Sequence, residues 1–389
     1  MASIFENIEG SLSSFKCKYM YMDKLFNGRL EAKKNKSRLV DTVNIYINFE
    51  SLCNTIRNKG VEKKLEVLEK KDSKLVYRQM ISNFINVAAH YRKYFNRHKV
   101  KTNIIFYYNE IGEEYEDYNN SPLYEDYREH FFNSLHSLDR FNVNNMILDA
   151  IPFMHIITEY IEDVYFIGSK HVESSLIPFI FMMEGYLPCN MNIIVSKDVY
   201  DLQYCNYNCL VISRYASEPV LLTKRNVMKF LCYKNDMNVE EMDRFIHPKL
   251  ITFILACIGD KKRSVYPIRG LGFKTVYKQL LGLYDAGYIF DDDPDTMKIN
   301  SLMHVLNKNE SKLVKAESLA SMIISQYQVM DLESQYRVVN DTQKKLLTDQ
   351  TVDKTDVGAL MDINSRYFED FPLMLMELNQ YNKNRDLDY

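Results

Sequence analysis

Between residues 246 and 283 the chain reads IHPKLITFILACIGDKKRSVYPIRGLGFKTVYKQLLGL, and this stretch gathers the residue types that capture a phosphate. Gly270 and Gly272 stand two apart, so main chain can approach a ligand with no Cβ in the way. The residues after them, Phe273–Leu281, have helical spacing. The first amides of a helix have no acceptor inside it and point outward, which suits an anion. Lys274 and Lys278 lie one helical turn apart, and Arg269 and Thr275 flank the same turn. Lys261, Lys262 and Arg263 form a basic loop just upstream. Such a site would neutralise successive phosphates and read the backbone rather than the bases. A plain helical hairpin with a glycine turn would explain Gly270 and Gly272. It would leave the combination of proline, paired glycine and lysine without a reason.

The elements that must position this turn follow from periodicity. Pro248 marks a helix start, and the apolar run behind it ends at Cys257-Ile258 before Gly259. Upstream, short apolar runs rich in β-branched and aromatic residues predict strands at Thr42–Phe49, Thr102–Tyr108, Asp163–Ile167, Met191–Ser196 and Cys209–Ser213. Helical spacing lies between them, over 61–98, near 131–162 and over 171–185. Alternation of this kind predicts an α/β fold with a mostly parallel sheet flanked by helices. Ligands of such sheets bind at the carboxyl ends of the strands. From about residue 222 onward the pattern reads as helical.

The bulk composition bounds the class. The 389 residues are 46% hydrophobic and 26% charged, with 12 glycines and 9 prolines, which suits a globular chain of two or three domains. The net charge of −3 excludes a global basic field, so any polyanion must be held by local patches. One such patch is Lys16, Lys18, Lys24, Arg29, Lys33, Lys34, Lys36 and Arg38 within a basic N-terminal extension, 1–40; another is Lys261–Lys278. Seven scattered cysteines, mostly in apolar runs, suit reduced thiols and a cytoplasmic setting, the host cytoplasm or a virion. Cys205 and Cys209 have no second pair to complete a zinc site. No apolar run is long enough to span a membrane. Tryptophan is absent while Tyr, Lys, Asn and Ile abound, a bias of AT-rich genomes such as those of many bacteriophages. There is no P-loop, no G-x-S-x-G turn and no H-E-x-x-H helix.

The glycine turn resembles the helix–three-turn–helix of the 5′-nuclease superfamily, the flap endonucleases and phage-type 5′→3′ exonucleases. The family pattern there is roughly G-D-x-S-D-N-I-P-G-V-x-G-I-G-x-K-T. Gly259-Asp260 match its start, and Pro267, Gly270, Gly272, Lys274 and Thr275 match its end, with one extra residue between. Ile193–Gln203 (IIVSKDVYDLQ) resembles the family strand I-V-S-G-D-x-D-L-x-Q. Ile45–Leu52 (IYINFESL) is similar to its first strand, Phe106–Arg128 to its second strand and exit, and His171–Ser175 stands where E-A-D-D is expected. The order is kept over residues 40–283. The resemblance implies a PIN-like core over 41–245, a helix–hairpin–helix-like element over 246–290 and a C-terminal helical region over 291–389.

The family cuts phosphodiester bonds with two divalent metals held by clustered carboxylates, because Mg²⁺ takes oxygen ligands and two ions stabilise the attacking and leaving oxygens. Most of those acids are replaced here. Asn48 stands for the first-strand Asp, Tyr108-Asn109 for Phe-Asp, and Ser174-Ser175 for the paired Asp of E-A-D-D. The Asp of S-D-N falls near Arg263-Ser264. The resemblance leaves Glu173, Asp198 and Asp201 as catalytic candidates, with Glu50 and Asp260 as further metal ligands, enough for one Mg²⁺ or Mn²⁺. Residues 110–129 hold eight acids against Arg128 where the family is basic. The acidic, Tyr-rich region 109–130 suits a protein partner. The expectation is a nucleic-acid-binding protein with a degenerate nuclease-like fold, binding DNA through its phosphates within a phage or viral assembly. The alternatives are an active Mg-dependent 5′→3′ exonuclease or flap endonuclease and a purely structural protein that keeps the fold.

Overall fold

Alternating β-branched and aromatic residues make TVNIYIN, Thr42–Asn48, a strand buried on both faces. In the computed structural model it is β1, and it pairs in parallel on both sides. The structure describes residues 41–49, 51–52, 100–109, 163–169, 172–207, 209–215, 218–237, 248–260, 263, 265–285 and 316–350, together with isolated positions over 84–96 and at 154 and 158. The basic extension 1–40, the acidic region 110–130, Glu50, Lys261, Lys262 and the C-terminal residues from 351 lie outside the described residues.

The chain divides into two compact units, with boundaries at Ser196/Lys197 and Asn340/Asp341 among others. The first unit holds β1, β2 (Lys101–Asn109), β3 (Val164–Ser169) and β4 (Met191–Val195). Their order is β3-β2-β1-β4, and all three pairings are parallel. The chain therefore starts in the middle, steps outward twice and returns to the far side of β1. That reversal makes the carboxyl ends of β1 and β4 the switch point where ligands of parallel sheets sit. A 3₁₀ turn, Ser174–Leu176, leads into α1 (Ile177–Glu184), which Gly185 ends in the left-handed region at φ 67°. The last described helix of the chain, here called α7 (Asp341–Asp349), packs on β3. The Gln350 side chain fixes it there: its Oε1 accepts from Gly168 N and its Nε2 donates to Gly168 O, each at 2.8 Å.

The strand centre contains polar residues that the apolar pattern does not foretell. Asn44 and Asn103 face each other across β1 and β2. Asn103 Nδ2 donates to Asn44 Oδ1 at 2.7 Å, and Asn44 Nδ2 donates to Leu187 O at 2.7 Å. Both are buried and paired, as buried amides must be. The surrounding core is aromatic. Phe49 meets Phe84, Phe106, Tyr108 and Phe166, and Tyr108 stacks on Phe166 at 4.3 Å between ring centres.

The second unit opens with a 3₁₀ turn, Tyr200–Asn206, then an antiparallel pair, β5 (Cys209–Tyr215) and β6 (Glu218–Leu222). Strand β6 is absent from the sequence expectation, because it is short and carries Pro219; proline is tolerated in an edge strand, where no ladder donor is needed. Helices α2 (Val227–Lys234), α3 (Leu250–Ile258), α4 (Phe273–Asp285), α5 (Ala316–Met330) and α6 (Leu332–Val338) come after it. Helix α3 is buried on every side from Leu250 to Cys257, and it packs against α4 and α5. Gln203, 2% exposed, ties the turn to two helices. It donates to Met330 O and Tyr200 O and accepts from Thr252 Oγ1 at 2.6 Å. Cys205 and Cys209 are both buried free thiols, and burial pushes the Cys205 thiol well above its ordinary range. Among the described residues no helix is long and apolar enough to cross a membrane.

Candidate nucleic-acid interface

The turn between α3 and α4 is built by two glycines with different work. Gly259 caps α3 at φ 80°, a backbone state that side chains rarely adopt. A Cβ there would lie 2.6 Å from Pro267 N and 2.7 Å from Val265 O, so no other residue fits without moving main chain. From Gly259 the chain enters a small closed loop. Asp260 N donates to Val265 O at 2.8 Å, and Val265 N donates back to Asp260 O at 3.0 Å. Ile268 N then donates to Cys257 O, which returns the chain to the end of α3. Gln326 of α5, buried to 1%, donates from Nε2 to Tyr266 O at 2.9 Å. The turn is thus pinned from inside at three places.

Past Ile268 the turn faces outward at Arg269, Gly270 and Gly272, with Leu271 between them buried. Gly270 adopts φ 85°, and Arg269, Gly270 and Gly272 are exposed. Nothing lies within 4 Å of the place a Cβ would take on Gly272. That glycine is not demanded by neighbours, and the open space is what an approaching ligand needs. The amides of Thr275 and Val276 both donate to Gly272 O, and Leu271 N donates to Ile268 O. Among the described residues the amides of Gly272, Phe273 and Lys274 have no main-chain acceptor, as at any helix start. Helix α4 buries Phe273, Val276, Tyr277, Leu280 and Leu281 at helical spacing. The same periodicity places Lys274, Thr275 and Lys278 on the exposed side.

Arg263 departs from the expectation that it faces a phosphate. It is 2% exposed, and its guanidinium is drawn inward by two carboxylates of the same unit. Its Nη1 lies 2.6 Å from Asp260 Oδ2 and 3.5 Å from Asp198 Oδ2. Its carbon centre sits 3.6 Å over the Tyr200 ring, a cation–π contact. Asp198 Oδ1 also accepts from Tyr200 N at 3.1 Å, so the acid shapes the turn that carries its neighbour. Lys234, at the end of α2, is a second cation acting on Asp198; burial lowers its ammonium below the ordinary range, and Asp198 partly opposes that. Asp201 is fully buried inside the 3₁₀ turn.

The metal-ligand candidates therefore fall into two sets. Glu173 belongs to the first unit, and Asp198, Asp201 and Asp260 to the second. Within the second unit the Arg263 guanidinium engages both Asp260 and Asp198. Within the first unit the strand ends carry amides and hydroxyls that already hold main chain. Asn48 Oδ1 accepts from Ser51 N at 2.8 Å, Asn109 Oδ1 from Ser174 N at 2.6 Å, and Ser169 Oγ from Val172 N at 2.7 Å. Ser175 Oγ donates to Glu173 Oε1. A neutral amide lacks the charge that Mg²⁺ selects. Among the described residues no group of three His, Cys, Asp or Glu is disposed to hold a metal ion. The donor set among the described residues does not fit a two-metal centre. Sequence reasoning misses Tyr200, Lys234, Gln203 and Gln326. Of these Tyr200 and Gln203 carry a signal, since both lie in the stretch Ile193–Gln203 that resembles the family strand and turn, whereas Lys234 and Gln326 carry none.

No protein-family model matches the chain, and no curated protein matches it. Among solved structures it is similar to bacteriophage T5 5′-exonuclease with bound zinc, at 13% identity and a TM-score of 0.47, over 79% of this chain and 98% of that one. It is similar over the same shares to a bacteriophage T5 flap endonuclease pseudo-enzyme–product complex with DNA and metal ions, at 12% identity and a TM-score of 0.47. The catalytic core of Rad2 with a DNA substrate aligns over 78% of this chain and 79% of that one, at 8% identity and a TM-score of 0.33.

Proposed function

We propose that this chain binds nucleic acid by its phosphodiester backbone, at the turn and helix start formed by Arg269, Gly270, Gly272, Lys274, Thr275 and Lys278, and that it does not cleave what it binds. The observation that carries the first part is the outward-facing turn itself. Its amides at Gly272–Lys274 lack main-chain acceptors among the described residues, its side chains are basic, and its inner half is pinned. A helix start of this kind favours an oxyanion, and one phosphate neutralised by each of Lys274 and Lys278 would make binding steeply salt-dependent. DNA is the first polymer to test. The composition, free of tryptophan and rich in Tyr, Lys, Asn and Ile, suits a component of a phage or viral nucleoprotein assembly.

The second part rests on Arg263. With Asp198 and Asp260 both engaged by one buried guanidinium, these carboxylates are not disposed to coordinate Mg²⁺ or Mn²⁺. The neutral Asn48 and Asn109 support the same reading.

Fluorescence anisotropy with dye-labelled DNA tests the binding. Gly272→Asp, which places a carboxylate at the amides, and Lys274→Glu should each weaken affinity by about tenfold or more. Lys274→Ala should lower the slope of log K against log salt by about one. Affinity unchanged by all three variants would remove the proposed site. Flap and nicked duplexes incubated with Mg²⁺ or Mn²⁺ should stay intact; cleavage that disappears in Asp198→Ala would contradict the catalytic part.

A further inference from the structure

One residue beside the phosphate turn takes no part in backbone capture. Tyr266 is 63% exposed, among the most exposed large hydrophobic side chains of the described residues. A lone exposed aromatic is ordinary on a protein surface. This one differs in how it is held. The residues on either side, Val265 and, past Pro267, Ile268, are buried to 2% and 4%. Val265 is bonded to Asp260 in both directions, Ile268 N is bonded to Cys257 O, and Tyr266 O itself accepts from buried Gln326. The main chain is thus fixed before, at and after Tyr266, while its ring is left in solvent. Pro267, also exposed, stiffens the next peptide. Three residues on stands exposed Arg269, and then the glycine turn.

An exposed aromatic ring on anchored main chain, three residues before exposed Arg269 and the glycine turn, is a combination that binds unpaired nucleotides. The phosphate is taken by amides and lysines, and the base stacks on the ring, whatever its identity. In a duplex the bases are already stacked on one another and are closed to such a ring. We propose that Tyr266 is a base-stacking platform, and that the preferred ligand of this turn is a single strand or the unpaired end of a duplex. This rests on the backbone-binding reading and adds to it the substrate class. The ring supplies no such preference if it instead meets an apolar partner protein, and the test separates the two.

The chain contains no tryptophan, so Tyr266→Trp gives a single fluorescent reporter at this position. Its emission should be quenched by a single-stranded oligonucleotide. Quenching should be lost when the oligonucleotide carries abasic positions throughout but keeps its phosphates. In anisotropy, Tyr266→Ala should weaken single-strand binding by at least about fivefold and blunt-duplex binding by much less, while Tyr266→Phe keeps both. If Tyr266→Ala binds single strands as well as the wild type while Lys274→Glu does not, the stacking platform is refuted and backbone capture stands. Equal quenching by intact and abasic strands also refutes it. If the wild type binds neither single strands nor duplexes, both readings fall.

Discussion

The buried guanidinium of Arg263 engages two acids of the second unit, Asp260 and Asp198. By sequence Arg263 is one of three basic residues in a loop, and neither Lys262 nor Ser264 beside it marks it as different. Burial marks it: a guanidinium cannot be taken out of water unless carboxylates come with it. Asp260 lies three residues before it, and Asp198 is brought from 65 positions away. Replacing Arg263 with Leu removes the guanidinium that engages those two acids, while Lys234 still acts on Asp198. The expected loss is about 3 kcal/mol, the lower end of the range for breaking a buried pair, and it would be read from urea unfolding midpoints. Arg263→Lys keeps the charge but gives up the flat contact with Tyr200, so it should fall between. A loss under about 1 kcal/mol for Arg263→Leu would show that the cluster contributes little to the fold.

At the scale of elements, the parallel strands and the pair of helices about the glycine turn are legible in the sequence because their signals are local. A β-branched run without charges has few other destinations, and the turn from Gly259 to Gly272 is punctuated at both ends. The predicted strands differ from β1 to β5 by a residue or two at their ends. Strand β6 is not legible, since EPVLL is as short as a loop, and its pairing with β5 is a tertiary fact. The candidate site is legible in part. Spacing alone picks out Gly270, Gly272, Lys274, Thr275 and Lys278, and all are exposed, whereas the inward turn of Arg263 depends on acids that only the fold brings near. The two glycines Gly259 and Gly272 lead to opposite expectations. Gly259→Ala should destabilise by about 2–4 kcal/mol, from strain at positive φ and the clash with Pro267 and Val265 main chain, as measured by thermal or urea unfolding. Gly272→Ala should leave stability within about 1 kcal/mol. Equal effects would mean that the loop is free to reshape.

Over the whole molecule, a net charge of −3 means that attraction to a polyanion is confined to local patches, not spread over the surface. Affinity should then be modest, sensitive to salt and removable by very few substitutions. The proposed binding turn contains none of the carboxylate candidates Glu173, Asp198, Asp201 or Asp260. Hydrogen exchange followed by mass spectrometry, on peptides covering 266–276 with and without a saturating oligonucleotide, reports on the amides proposed to hold the phosphate. The amides of Gly272, Phe273 and Lys274 should exchange more slowly when the oligonucleotide is bound, with Gly272→Asp abolishing the change. Exchange in this segment that is the same with and without bound oligonucleotide would contradict that proposal.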